Sequence, residues 1–176
     1  MAENEKSRRD FIFVATGAVI AGGAAVAARP LIHQMSPAAD NLGVIGLDVD
    51  LSKLEEGQQL TVTFLGRPVA IRYRTALEIA TALSDDQVAL RHKETDLSRL
   101  RPKPDGTIDP RFLVFTPICT HFGCVVVGEA GDFDGWYCPC HGAHFDTSGR
   151  VRKGPAPINM EIPNYRWISE TAINLR

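Results

Sequence analysis

All four cysteines of this 176-residue chain lie between positions 119 and 140, and a histidine accompanies them in each half of that stretch. The segments are Cys119-Thr-His121-Phe-Gly-Cys124 and Cys138-Pro-Cys140-His141-Gly-Ala-His144-Phe145, with 16 residues between His121 and Cys138. A Cys-x-His pair and a Cys-x-x-His pair are each short enough for one tight loop to present both side chains to a metal. Gly123 and Gly142 would let the backbone approach closely. Two thiolates and two imidazoles suit a [2Fe–2S] cluster in which the thiolates hold one iron and the imidazoles the other. The same set suits zinc. Zinc fingers mostly pair cysteines in one knuckle and histidines in another, whereas each loop here mixes the two and carries an additional cysteine. The spacing favours iron–sulfur and leaves zinc open.

The N-terminus constrains the destination. Residues 7–12 read Ser-Arg-Arg-Asp-Phe-Ile, a close match to the twin-arginine export pattern through Arg8 and Arg9. Phe11–Ala28 then contains no charge, and 18 residues at about 1.5 Å each make a helix of roughly 27 Å, near the hydrocarbon thickness of a bilayer. Lys6, Arg8 and Arg9 keep the N-terminus cytoplasmic and send the rest across. Ala25-Val26-Ala27 could be a cleavage site, but the apolar run is longer than a usual signal core, which favours a retained anchor. Twin-arginine export carries folded proteins, so a cluster could be inserted before transport. Residues 36–46, SPAADNLGVIG, lack periodicity and read as a hinge.

The organisation expected is therefore a cytoplasmic N-terminus at 1–10, a transmembrane anchor at 11–35, the hinge at 36–46 and a soluble head at 47–176. The metal-binding part of the head spans about 115–157. Apolar content of 44%, charged content of 23% and a formal charge of −2 describe an ordinary globular head. They offer no electrostatic case for nucleic acid, because no basic patch is interleaved with aromatics. Short strands are expected at 60–65 and 68–72, turned at Gly66-Arg67, and at 112–116, 124–127, 136–137, 158–162 and 172–175. A helix is expected at 75–83 on Leu77, Ile79, Ala80 and Leu83, and a polar surface loop at 91–110. The class is mainly β.

CTHFGC and CPCHGAHFD, with Gly154-Pro155-Ala156-Pro157 downstream, resemble the Rieske iron–sulfur subunit of bacterial cytochrome bc complexes (ubiquinol–cytochrome c reductase). Anchor, hinge and β-rich head follow in the family's order, so the resemblance covers nearly the whole chain. It implies an antiparallel three-sheet head with one [2Fe–2S] cluster at an exposed tip. Cys119 and Cys138 would bind one iron, and His121 and His141 the other through Nδ1. Cys124 and Cys140 would form a disulfide between the loops, consistent with an oxidising compartment. Phe122 would shield the cluster, and Gly154 and Pro155 would pack beneath it.

By the same resemblance, His141 contacts quinol at the cytochrome b subunit and accepts its proton. The head then swings to a c-type cytochrome, in a dimeric complex of the bacterial inner membrane with the head in the periplasm. Two positions depart from the family: Ala143 stands where high-potential members have Ser, and Phe145 where they have Tyr. Losing those donors to sulfur should lower the cluster's potential. Phe122 also replaces the usual Leu. His144, His92 and His33 read as surface or interfacial histidines, and Trp136 as core packing. The runner-up function is the small subunit of a periplasmic molybdenum oxidase such as arsenite oxidase. A ferredoxin serving a ring-hydroxylating oxygenase, which usually lacks the anchor and the additional cysteine pair, and a structural zinc module stand further back.

Overall fold

The computed structural model describes residues 8–36 and 46–176. The chain divides into two compact units, Met1–Gly43 and Val44–Arg176. The first contains α1, Arg8–Gln34, with no buried residue. By length and composition it is able to cross a membrane. It begins three residues before the expected anchor, so Arg8 and Arg9 lie in its first turn, beside Asp10, whose charge suits a helix N-terminus. The hinge expected at 36–46 lies, apart from its two end residues, outside the described residues.

The head is built from three antiparallel sheets. In chain order its elements are β1 (Leu47–Asp50), β2 (Gln59–Phe64), β3 (Arg67–Tyr73), α2 (Ala76–Ser84), β4 (Phe112–Phe115), β5 (Val127–Gly128) and β6 (Trp136–Cys138). β7 (Ala143–Phe145), β8 (Val151–Lys153), β9 (Tyr165–Ser169) and β10 (Ala172–Leu175) complete it. The sheets run β1-β10-β9, β2-β3-β4 and β5-β6-β7-β8.

The middle sheet explains how the other two are held. All four residues of β4, Phe-Leu-Val-Phe, are buried, which requires cover on both faces. Strand alternation sends Leu113 and Phe115 into one apolar core and Phe112 and Val114 into the other. The first core contains Trp136, Phe145, Val151 and the thiols of Cys119 and Cys138. The second contains Tyr165, Trp167, Ile173 and Leu175 from the β1-β10-β9 sheet. Trp136 is buried against Phe115 with ring centroids 4.5 Å apart, a packing role.

Several local expectations are corrected. The hairpin turns at Leu65-Gly66, both at positive φ, and Arg67 already pairs with Phe64; a two-residue I′ turn needs two such conformers. Thr75 is the N-cap of α2, closed by a capping box with Glu78. The helix buries Ala82 and leaves Leu77 exposed, because the face towards the head is chosen by tertiary packing. Residues 158–162 form no strand. Pro157 and Pro163 bracket them, and they cross between sheets through isolated bonds such as Thr116 N–H to Glu161 O (2.8 Å). Of the strand expected at 124–127, only a bridge from Val125 to Ile118 and the start of β5 form.

The loop at 91–110 is not a surface loop throughout. Asp96, Arg99 and Leu100 are buried. Asp96 receives Arg74 at 2.6 and 3.1 Å and the Ser148 hydroxyl at 2.6 Å. Arg99 donates to Ser148 O and Met160 O, both at 2.7 Å. Polar composition hides such burial when every charge finds a partner. These bonds support the β7–β8 turn, at the end of β7 opposite the second Cys/His loop.

Candidate metal centre

The two loops share one construction. Cys119 O accepts the Gly123 N–H at 2.9 Å, and Cys138 O accepts the Gly142 N–H at 3.0 Å. Each turn closes on a glycine at positive φ, 78° for Gly123 and 70° for Gly142. A Cβ at either glycine would meet nothing within 4 Å, so the requirement is backbone conformation rather than the close approach expected. Close approach occurs at Gly154 instead, where a Cβ would stand 2.3 Å from Gly142 O and 2.6 Å from Ala143 Cα.

Cys124 and Cys140 form a disulfide linking the loops, with Cα atoms 6.8 Å apart. Their sulfurs and that of Cys138 lie within 4.8 Å of one another, but the disulfide removes two of the three as thiolate ligands. Cys119 and Cys138 remain free, and both are buried. Burial pushes the Cys119 thiol up, and the adjacent Cys138 thiol adds to the shift; the backbone N–H groups of His121 and Phe122 point at the sulfur and oppose it. A bound metal would offset the cost that burial puts on the Cys119 thiolate.

Across the same gap the rings of His121 and His141 stand 4.8 Å apart, nearly perpendicular. His121 Nδ1 is buried without a hydrogen-bond partner, an expensive condition unless the atom binds something. His141 is exposed. Two buried thiols, two converging imidazoles and one orphaned ring nitrogen fit a [2Fe–2S] cluster with a Cys₂ iron and a His₂ iron. Phe122 is 77% exposed and leans on both rings, with centroids 4.0 Å from His121 and 5.9 Å from His141. Ala143 and Phe145 are fully buried among the free thiols, and neither side chain carries a donor. Ala156 fills the same core, while Pro155 faces solvent.

Of the other histidines, His144 and His92 are less exposed than expected, and His33 lies where it was expected. His144 is packed between Tyr137 and Phe133, and its Nδ1 accepts the Asp132 N–H at 3.0 Å. It lies on β7 opposite Tyr137, and cross-strand pairing rather than solvent decides its surroundings. His92 is half-buried, with Nδ1 lacking a partner. His33 is exposed in the last turn of α1. Sequence reasoning missed Thr120, whose hydroxyl donates to Ile158 O at 2.7 Å and ties the first loop to the segment after the prolines. Pro155 and Pro157 were the available signal: a segment short of N–H groups leaves its carbonyls to be satisfied from outside.

Comparison with known proteins agrees with this geometry. Residues 47–166 match the family described as Rieske [2Fe-2S] domain, and residues 1–38 match "Ubiquitinol-cytochrome C reductase Fe-S subunit TAT signal". The ubiquinol-cytochrome c reductase iron-sulfur subunit of Rhodospirillum rubrum is 45% identical over 174 residues, covering 96% of this chain and 91% of that protein. The subunit of the same name from Rhodobacter capsulatus is 45% identical over 187 residues, with coverages of 98% and 97%. The mitochondrial cytochrome b-c1 complex subunit Rieske of Saccharomyces cerevisiae is 42% identical over 172 residues, with coverages of 98% and 77%. A chain of the solved "Hyperthermophilic respiratory Complex III" superposes with a TM-score of 0.50 at 20% identity, covering 92% of this chain and 98% of that one, a likeness in fold. The chain belongs to the family of Rieske iron–sulfur subunits of ubiquinol–cytochrome c reductase.

Proposed function

We propose that the head takes an electron and a proton from quinol at the cytochrome b subunit and passes the electron to a c-type cytochrome. The observation that carries this reading is the tip itself: two imidazoles converge there, His121 with a buried, unpartnered Nδ1 and His141 open to a partner. Cys119 and Cys138 would hold one iron, and His121 and His141 the other through Nδ1. When bound, the cluster supplies a one-electron acceptor, and histidine ligation puts its potential at about −150 to +300 mV.

The chain's own residues then do the following. His141 presents Nε2 to the quinol hydroxyl, accepts a hydrogen bond and takes the proton as the electron leaves the quinol. Negative charge gained nearby raises the basicity of that imidazole, so electron and proton arrive together. Phe122, with Val125 exposed on the same loop, offers apolar surface to a docking partner. The disulfide keeps the two loops in register, and the Thr120–Ile158 bond fastens the first of them to the segment after the prolines.

Export through Arg8 and Arg9 would leave α1 in the inner membrane and the head in the periplasm. A head so anchored would serve two partners within a dimeric complex. The relatives named above are reductase subunits, which favours this reading over a molybdenum-oxidase subunit.

The test is low-temperature EPR of the membrane-purified protein, reduced first with ascorbate and then with dithionite, alongside the haem content of what co-purifies. A rhombic Rieske signal with b- and c-type cytochromes present is expected. Iron-loaded protein silent under both reductants would overturn the reading. A signal from protein that co-purifies with a molybdenum subunit would move it to the runner-up.

A further inference from the structure

The Gly154–Pro157 segment is pressed onto the second Cys/His loop from within. Gly154, at φ 91°, leaves no room for a Cβ against Gly142 and Ala143, and Ala156 is fully buried beside Cys119 and Cys138. Pro155 and Pro157 have no N–H, so the segment cannot hold itself by a strand ladder. Its carbonyls are gripped from outside. A single nitrogen, Arg91 Nη1, donates to Gly154 O at 2.6 Å and to Ala156 O at 2.9 Å.

The residues following Arg91 are knitted to the same segment. Asn159 Nδ2 donates to His92 O at 3.1 Å and to Glu94 Oε2 at 2.9 Å, while its Oδ1 accepts the Val151 N–H at 3.0 Å. Residues 91–94 thus form a strap across the proline loop, and Arg91 is its end nearest the metal centre.

We propose that Arg91 is a positioning residue, clamping the proline loop shut over the cluster-binding loops and so limiting how readily water reaches the centre. The inference rests on the cluster reading of the tip. Arg91→Met removes the donors and keeps the apolar stem, whereas Arg91→Lys keeps a donating cation. The full-length protein should be compared in three measurements: bleaching of the visible CD of the cluster at fixed temperature, EPR line width, and amide exchange at Gly154, Ala156 and Ile158.

In Arg91→Met we expect bleaching and exchange to accelerate by about tenfold, the factor set by ~1.4 kcal/mol of lost charge-assisted hydrogen bonding. The EPR lines should broaden, the far-UV unfolding midpoint should stay in place, and Arg91→Lys should recover most of each change. Unchanged bleaching, line width and exchange in Arg91→Met would overturn the proposal. So would loss of the cluster and of the far-UV signal in one transition, which would make Arg91 a general stabiliser of the head. Amide exchange needs no cluster, so a wild-type protein without a Rieske signal would end the cluster reading while the clamp was still judged by exchange.

Discussion

The two cores of the head are held by different means. The core around Phe112, Tyr165, Trp167 and Ile173 lies under strands of four to seven residues and is stabilised by apolar burial, with Phe112 stacked edge-on to Trp167 at 5.6 Å. The metal end has strands of two or three residues in its own sheet, too short to hold a shape alone. It relies on a disulfide, the Thr120–Ile158 and Arg91 ties, and the buried charges at the β7–β8 turn. The metal end has an apolar core too, with Leu113, Phe115, Trp136, Phe145 and Val151, but its outer loops expose His141, Phe122 and Val125 and contribute little burial of their own. Covalent and polar ties supply what burial cannot.

The most disruptive way to break this division is Phe112→Ala. Removing a buried aromatic from the base should cost about 3–5 kcal/mol. Since β4 also carries Leu113 and Phe115 into the other core, the fluorescence of Trp136 and Trp167 should be lost at one common, lowered temperature. Separate transitions for the two tryptophans would mean that the cores fold independently.

Next comes Cys124→Ala. Opening a disulfide of sequence separation 16 should cost about 3 kcal/mol in the chain-entropy account. The loss should fall at the tip, with iron released at a temperature where the Trp167 environment is still native. Simultaneous loss would deny that the tip has its own fastening.

Tyr165 belongs to the base alone. Burial pushes its phenol up to about 12, so the fold favours the neutral form. Its contribution is whole below the ordinary tyrosine value near 10 and disappears as pH rises from about 10 to 12, a change of roughly 2–3 kcal/mol. Denaturant titrations across that window should show stability falling in the wild type and a flatter profile in Tyr165→Phe. Parallel curves would reject the assignment.

The smallest effects concern the tip's electronics. Ala143→Ser or Phe145→Tyr would add a donor beside the free thiols, and 1–2 kcal/mol per hydrogen bond corresponds to a potential rise of very roughly 40–90 mV. A redox titration with no upward shift in either variant would show that these positions do not face the cluster sulfurs.

The Cys/His loops and the apolar helix were legible because each is written in a local spacing: ligands two or three residues apart, and an uncharged run of bilayer length. The disulfide pairing followed only from the family resemblance. β2, β3 and β4 were legible for a similar reason, being runs rich in β-branched and aromatic residues between turns, and β10 by its alternation of Ile173 and Leu175 with Ala172 and Asn174. β7, β8 and β9 were not, since Ala-His-Phe, Val-Arg-Lys and Tyr-Arg-Trp-Ile-Ser are too short or too polar to stand out. The segment 158–162 misled in the opposite sense, its apolar residues serving as side-chain anchors for a crossing that the flanking prolines keep out of any ladder.

By itself, then, the sequence determined the Cys/His donor set, an apolar helix of bilayer length and the β class, all of which depend on neighbours a few positions apart. Only the tertiary structure decided that His141 is the open imidazole and His121 the half-buried one, that His144 is packed rather than solvated, and that Arg91 reaches the carbonyls of residues 154 and 156. Those outcomes depend on burial and on hydrogen bonds between groups tens of residues apart, where composition and spacing carry no information about which donor meets which acceptor.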